Sequence, residues 1–249
     1  MITAHMDVVG SLLRPPELLR AREDAAGGRL SRSGLKAAED RAVDAAVALQ
    51  EEAGLAVVTD GEMRRLSFQS QMTEAVEGFG ECGIDAFLWG DWRGGDRVGD
   101  KEIRRPASLG VVGRLQRKRH LSAEEFTVLR AITRGKPLIP KVTLPSPGLW
   151  MNFWPTDRRV DAYPTLDSFL ADVVDILRGE VAELVRLGAT YIQIDAPQYT
   201  AALDPKGRAF YESRGWSGGE RGAEWLSRGI EMDNAVMDGF PDVTFGFHL

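Results

Sequence analysis

The 249-residue sequence contains one cysteine, Cys82, and three histidines. A lone cysteine rules out an internal disulfide and fits a reducing compartment. No apolar run approaches the ~20 residues that a membrane span requires, and the first residues lack the basic-then-apolar pattern of a secretory signal. Self-contained metal patterns of the Cys-x-x-Cys or His-Glu-x-x-His kind are missing. So are a Gly-x-Ser-x-Gly nucleophile elbow and a phosphate loop. Basic residues are outnumbered, 31 against 37 acidic, for a net charge of −6, which argues against general nucleic-acid binding. Low-complexity segments and internal repeats are lacking too. These features fit a soluble cytoplasmic enzyme, as they fit many other proteins, and the expectation is a globular chain, 43% apolar, large enough for one substantial core.

Two kinds of segment alternate along it. Short β-rich stretches end in polar residues: Asp7–Ser11, Ala56–Glu62, Leu138–Leu144, Thr190–Asp195 and Val243–His248. Between them lie segments of helical period. Asp167–Leu187 places Leu170, Val173, Val174, Leu177, Val181, Leu184 and Val185 on one face before Gly188, a natural stop. Ser33–Ala53 reads as another helix ended by Gly54, and Ser122-Ala-Glu-Glu and Ser217-Gly-Gly-Glu read as capping boxes. Strands alternating with helices imply parallel βα units. A doubly wound sheet would carry a glycine-rich turn after its first strand, which Gly10-Ser11-Leu12-Leu13 is not. A (β/α)8 barrel collects its chemistry at the C-terminal ends of several strands, where Ser11, Glu62, Asp195 and His248 fall. The expectation is one domain over residues 1–249 with the first five βα units of such a barrel. An antiparallel hairpin is expected as an insertion over 85–120, where Trp89, Trp92 and Gly94-Gly95 break the alternation.

Each strand-end residue has two readings. Glu62 can hold an ammonium or act as a base, or it can pair with Arg64 or Arg65. Asp195 closes a buried strand, where a charge needs a partner or ligand; its other reading is a helix cap, made less favourable by Pro197 and the loop to Asp204-Pro205. His248 is a ligand candidate or a hydrogen-bonded core residue. Trp150, Phe153 and Trp154 can stack a flat ligand or pack on themselves as a lid. Cys82 has no evident activating base.

Five motifs in order, Val9-Gly-Ser-Leu-Leu-Arg-Pro15, Thr59-Asp-Gly-Glu-Met-Arg-Arg65, Lys141-Val-Thr-Leu-Pro-Ser-Pro147, Gln193-Ile-Asp-Ala-Pro197 and Phe247-His248, resemble the cobalamin-independent methionine synthases in their single-barrel branch. That resemblance implies a zinc-dependent TIM barrel that moves a methyl group, from a methyl-folate donor, onto the thiol of homocysteine. Zinc lowers the thiol pKa so that a thiolate attacks. It further implies that Ser11, Glu62 and Asp195 bind the amino-acid part of the substrate and that His248 is the first zinc ligand. No residue is singled out as catalytic. The family's cysteine ligand, two residues beyond that histidine, falls past Leu249, so a missing C-terminal segment is an expected partner. Ala196 stands where the family has a glutamate, and Ser146-Pro147 where full-length members carry a folate-stacking tryptophan. Two alternatives follow: a truncated or degenerate barrel that binds a ligand or partner chain without turnover, and a metal-free decarboxylase of the uroporphyrinogen type.

Overall fold

The computed structural model describes residues 6–66, 70–82, 97–98, 101–102, 109–155, 159–213 and 220–249. The elements follow in chain order: helices α1 (Pro16–Ala26) and α2 (Arg32–Glu52), strand β1 (Val57–Val58), helix α3 (Ser70–Glu74), and strands β2 (Val76–Glu81), β3 (Arg97–Val98), β4 (Lys101–Glu102) and β5 (Leu109–Arg117). After them come α4 (Ala123–Thr133), β6 (Ile139–Pro145), a 3-10 turn over Pro147–Phe153, and α5 (Leu166–Arg186). The chain continues through β7 (Tyr191–Asp195), α6 (Gln198–Leu203), α7 (Pro205–Ser213), α8 (Glu220–Met237) and β8 (Thr244–His248).

The central sheet is four parallel strands in the order β1-β6-β7-β8. Each successive strand adds on the same side after a helical crossover, as a βα barrel builds. Register sets three rows across it: Lys141, Tyr191 and Thr244; Thr143, Gln193 and Gly246; Pro145, Asp195 and His248. Because side chains alternate along a strand, these rows form one face. The residues between them, Val142, Leu144, Ile192 and Ile194, are buried on the other face with Val173, Leu177, Val181 and Leu184 of α5. A second apolar cluster joins α1 and α2 to β1 through Leu18, Val43, Val47 and Val58.

Five barrel strands were expected from the sequence; four are paired among the described residues. The stretch Asp7–Ser11 is irregular. The carbonyls of Val8 and Val9 accept from the side chains of Lys141 (2.6 Å) and Gln193 (2.7 Å), so they are not ladder partners. At the segment's far end the Leu12 amide donates to the Gly61 carbonyl at 3.1 Å. The second strand is likewise reduced to Val57–Val58, because the chain turns at Thr59–Glu62.

Antiparallel structure follows β1: β2 pairs with β5 with an irregularity between Glu77 and Phe79, and β3 pairs with β4. Of the hairpin expected over 85–120, residues 85–96, 99–100 and 103–108, Trp89 and Trp92 among them, lie outside the described residues, and so does the Ser217 cap. Helix α5 begins with a capping box of Thr165 and Ser168. Ser122 precedes α4 but makes no side-chain cap; its amide donates to the Glu180 carboxylate at 2.8 Å. Helix α6 starts directly after Pro197, contrary to the loop expected there.

Candidate functional site at the strand ends

The turn after β1 is shaped by its own polar residues. The Gly61 amide donates to Thr59 Oγ1 at 3.1 Å and the Glu62 amide to Asp60 Oδ1 at 2.8 Å. Two consecutive residues are left-handed, Gly61 at φ 66° and Glu62 at φ 54°. Glycine takes that conformation freely, whereas for glutamate it is uncommon. The turn directs the Glu62 carboxylate into the protein, where Glu62 is 2% exposed. Its oxygens accept from the Ser11 hydroxyl, from Thr143 Oγ1 at 2.9 Å and from Arg65 Nη1 at 3.1 Å.

Arg65 is equally buried and bridges Glu62 to Glu125 of α4, donating to the latter from Nε (3.1 Å) and Nη2 (2.9 Å). Its Nη2 also reaches the Thr143 carbonyl at 3.0 Å. Burial alone would depress the guanidinium, but Glu125, Glu62 and Asp60 outweigh that and hold it above its usual value. Burial pushes Glu125 up to about 7, against the opposing pull of Arg65. Burial likewise raises Asp60. Three carboxylates thus crowd one guanidinium. Arg14 and Arg22, from the segment before α1 and from α1 itself, donate to the carbonyls of Glu62, Met63 and Arg65 and fix the turn from outside.

A second chain of bonds crosses the polar face from β6 to β8. Lys141 Nζ donates to Gln193 Oε1 at 2.7 Å, and Gln193 Nε2 donates to Asp195 Oδ1 at 2.6 Å. The same carboxylate oxygen lies 3.3 Å from His248 Nδ1. Burial raises Asp195, an effect opposed by the Gln193 bond, enhanced by the Glu62 charge and opposed again by His248. His248 retains 40% side-chain exposure, so this end of the row meets solvent. The β7 end is closed by backbone bonds, Ser146 N to the Asp195 carbonyl and Ala196 N to the His248 carbonyl, both 2.8 Å.

The four strand-end residues therefore fall in two linked groups. Ser11 and Glu62 form one, internally bonded, with Glu62 buried and Ser11 exposed; Asp195 and His248 form the other, open at the imidazole. Of the two readings of Glu62 from sequence, the ion pair with Arg65 is present, and the Ser11 and Thr143 hydroxyls donate to the same carboxylate. Asp195 is not a helix cap: α6 starts from Pro197 with no side-chain cap. The aromatic group after β6 packs inward, with Trp150 and Phe153 buried and ring centroids 5.8 and 5.0 Å from Phe79. Cys82 is buried.

Sequence reasoning passed over Lys141 and Gln193 as individual residues, though their signal was there: polar residues at every second position of Lys141-Val-Thr-Leu and Gln193-Ile-Asp mark a lined interior. It also passed over Asp233 of α8, which accepts from Ser146 Oγ (2.8 Å) and Tyr199 OH (2.5 Å) and anchors the loop after β7. Burial raises its carboxyl against those two bonds. Nothing in the α8 periodicity distinguishes that position.

The zinc that the motifs imply can be tested against these donors. Among the described residues no group of three or more His, Cys, Asp or Glu could hold a metal ion. His248 beside Asp195 is one imidazole against a carboxylate already engaged by Gln193, so the described residues do not by themselves make a zinc site. Among them, too, no helix is long and apolar enough to cross a membrane.

Fold and strand-end chemistry define the class: an α/β protein built as part of a TIM-type barrel, with its buried polar network on the inner face and at the C-terminal strand ends. Comparison with known proteins is more specific. No family model matches the sequence. YxjH of Bacillus subtilis is 25% identical over 98% of this chain, and the chain spans 60% of that relative. A 5-methyltetrahydropteroyltriglutamate–homocysteine methyltransferase of Synechococcus is 30% identical over 84% of this chain and 25% of its own length. Two solved structures, a putative vitamin-B12-independent methionine synthase from Listeria monocytogenes and a B12-independent methionine synthase from Shewanella in complex with selenomethionine, share the fold. Their TM-scores are 0.71 and 0.65 at 22% and 20% identity, each covering 98% of this chain and 64% and 60% of the neighbour. Over most of its length the chain is similar to the cobalamin-independent methionine synthases, of which it spans less than two thirds.

Proposed function

We propose that this chain supplies the amino-acid-binding half of an S-methyltransferase of the methionine synthase type. In this reading the substrate is a small amino-acid thiol such as homocysteine, and the donor is a methyl-folate. The observation that carries it is the row ending in Asp195 and His248: a carboxylate held rigid on one side, with an exposed imidazole on the other. A carboxylate fixed by neighbours presents its charge to a ligand ammonium without reorganising. The bound selenomethionine of the Shewanella protein supports an amino acid as the ligand class.

In the same reading Asp195 takes the ammonium, and Ser11 and Glu62 line the inner side. Glu62 joins the contact when the Ser11 hydroxyl turns from it to the ligand. His248 is the one residue here assigned to zinc, the ion that would supply thiol activation. Because the described residues do not complete such a site, no step is routed through it. Arg65 holds the Glu62 carboxylate in place, and Gln193 keeps Asp195 oriented.

Titration calorimetry with L-homocysteine, with and without equimolar zinc, tests this reading. We expect saturable binding that Asp195→Asn weakens at least tenfold. Binding that is absent, or indifferent to Asp195, removes the proposal. Binding with no methyl transfer from a methyl-folate, zinc present, would favour the second reading, a barrel that holds its ligand without turnover; the lack of a three-ligand cluster among the described residues is what recommends it.

A further inference from the structure

Lys141 stands in the middle of β6, 1% exposed, on the inner face of the sheet. A buried ammonium is costly unless its donors are all used. Lys141 uses its three: the Val8 carbonyl at 2.6 Å, Gln193 Oε1 at 2.7 Å and Asp7 Oδ2 at 3.1 Å. Two of those partners belong to the irregular N-terminal segment that occupies the place of the expected first strand. The third is the amide that orients Asp195. A lysine donates only, so it must face the Gln193 carbonyl oxygen. That leaves the Gln193 NH2 to point at the Val9 carbonyl (2.7 Å) and at Asp195 Oδ1 (2.6 Å), which fills both of its donors.

We infer that Lys141 is a positioning residue for the strand-end site, pinning the Asp7–Leu12 segment across the inner face and fixing the Gln193 amide that holds Asp195. That cation strengthens the preference of the Gln193 amide for this orientation, a preference that the Val9 carbonyl and the Asp195 carboxylate share. In the flipped one, Oε1 would face the Asp195 carboxylate and the Val9 carbonyl, and both contacts would be repulsive. Pinning has a second consequence. Ser11, the Glu62 partner, lies on the same short segment, so one buried lysine aligns both groups of the site. Tyr191, in the same row, lies beneath it with its ring centroid 5.6 Å from Nζ. Gly246 leaves room for that ring, because a Cβ there would come within 2.9 Å of it.

The ligand-positioning part rests on the function proposed above; the pinning does not. The test therefore has two readouts. The first is amide exchange of Leu12, whose N–H is bonded to Gly61 at the end of the segment. Lys141→Met should accelerate it at least tenfold while the amides of β7 and α5 keep their protection. The second is affinity for L-homocysteine, which should fall at least tenfold in Lys141→Met. Thr165→Ala, at the distant start of α5, is the control for general destabilisation and should leave affinity unchanged. Should Lys141→Met fail to fold, Asp7→Ala removes the lysine's one charged partner and should still speed Leu12 exchange two- to fivefold.

Unchanged Leu12 exchange in these variants overturns the pinning. Unchanged affinity in Lys141→Met, with the parent protein binding normally, overturns the positioning role and leaves the proposed function standing. If the parent protein binds no homocysteine, the proposed function and the positioning role both fail, and Leu12 exchange still decides the pinning.

Discussion

Arg65 is the residue on which the Glu62 half of the site turns. Glu62, Glu125 and the Thr143 carbonyl and hydroxyl all face it, so its loss leaves two buried carboxylates without their shared cation. Removing one partner of a buried pair costs about 3–5 kcal/mol. Arg65→Met should therefore lower unfolding free energy by about that much in urea titrations, and Arg65→Lys, which cannot fork between two carboxylates, by less. Glu125 makes a pH prediction. Its folded value of about 7 lies above the ordinary 4.5, so between those pH values the folded protein holds a proton that the unfolded chain has released. The resulting stability is complete below about 4.5 and is lost as pH rises toward 7. Glu125→Gln should flatten that part of the stability curve, measured by denaturant unfolding at half-unit pH steps; an unchanged slope would show that Glu125 stays ionised throughout. The sequence made Glu62 and Asp195 legible because each closes an apolar run. It could not show that Glu62 is reached through a left-handed turn, since that depends on Asp60 and Thr59 bonding back to the backbone.

At the scale of elements, local pattern and tertiary override divide cleanly. The 3.6-residue stripe of α5 was readable because one face of it is buried against the sheet, and its ends carry their own signals, Thr165 with Ser168 and then Gly188. Thr165→Ala should cost about 1 kcal/mol in thermal or urea unfolding. The Ser122 motif carried the same local signal and yet makes no cap, because Glu180 supplies acceptors to the Leu121 and Ser122 amides at 2.8 Å. That partner is 58 residues away and invisible to a local reading. The first strand failed for a related reason: its apolar valines promised a ladder, but buried Lys141 and Gln193 take their carbonyls. Row packing gives a further prediction at this scale. Gly246→Ala puts a methyl into the Tyr191 ring, and overpacking of this kind costs about 1–3 kcal/mol, read as a lowered urea midpoint with unchanged slope.

Across the whole molecule, the parallel sheet has β8 paired on one side among the described residues, with Phe247 43% and Leu249 61% exposed next to it. An unpaired edge flanked by apolar side chains invites association, so light scattering of the 249-residue polypeptide should detect species larger than a monomer at micromolar concentration; a monodisperse monomer would count against this. The central claim is that the Asp195–His248 end of the sheet is where an amino-acid ligand sits. Its most direct measurement is a crystal of the protein, grown with sulfur methionine and soaked in L-selenomethionine, with data collected at the selenium edge. The account predicts one anomalous peak at the C-terminal ends of β7 and β8, lost in Asp195→Asn. A peak elsewhere on the molecule, or one that persists unchanged in that variant, would contradict it.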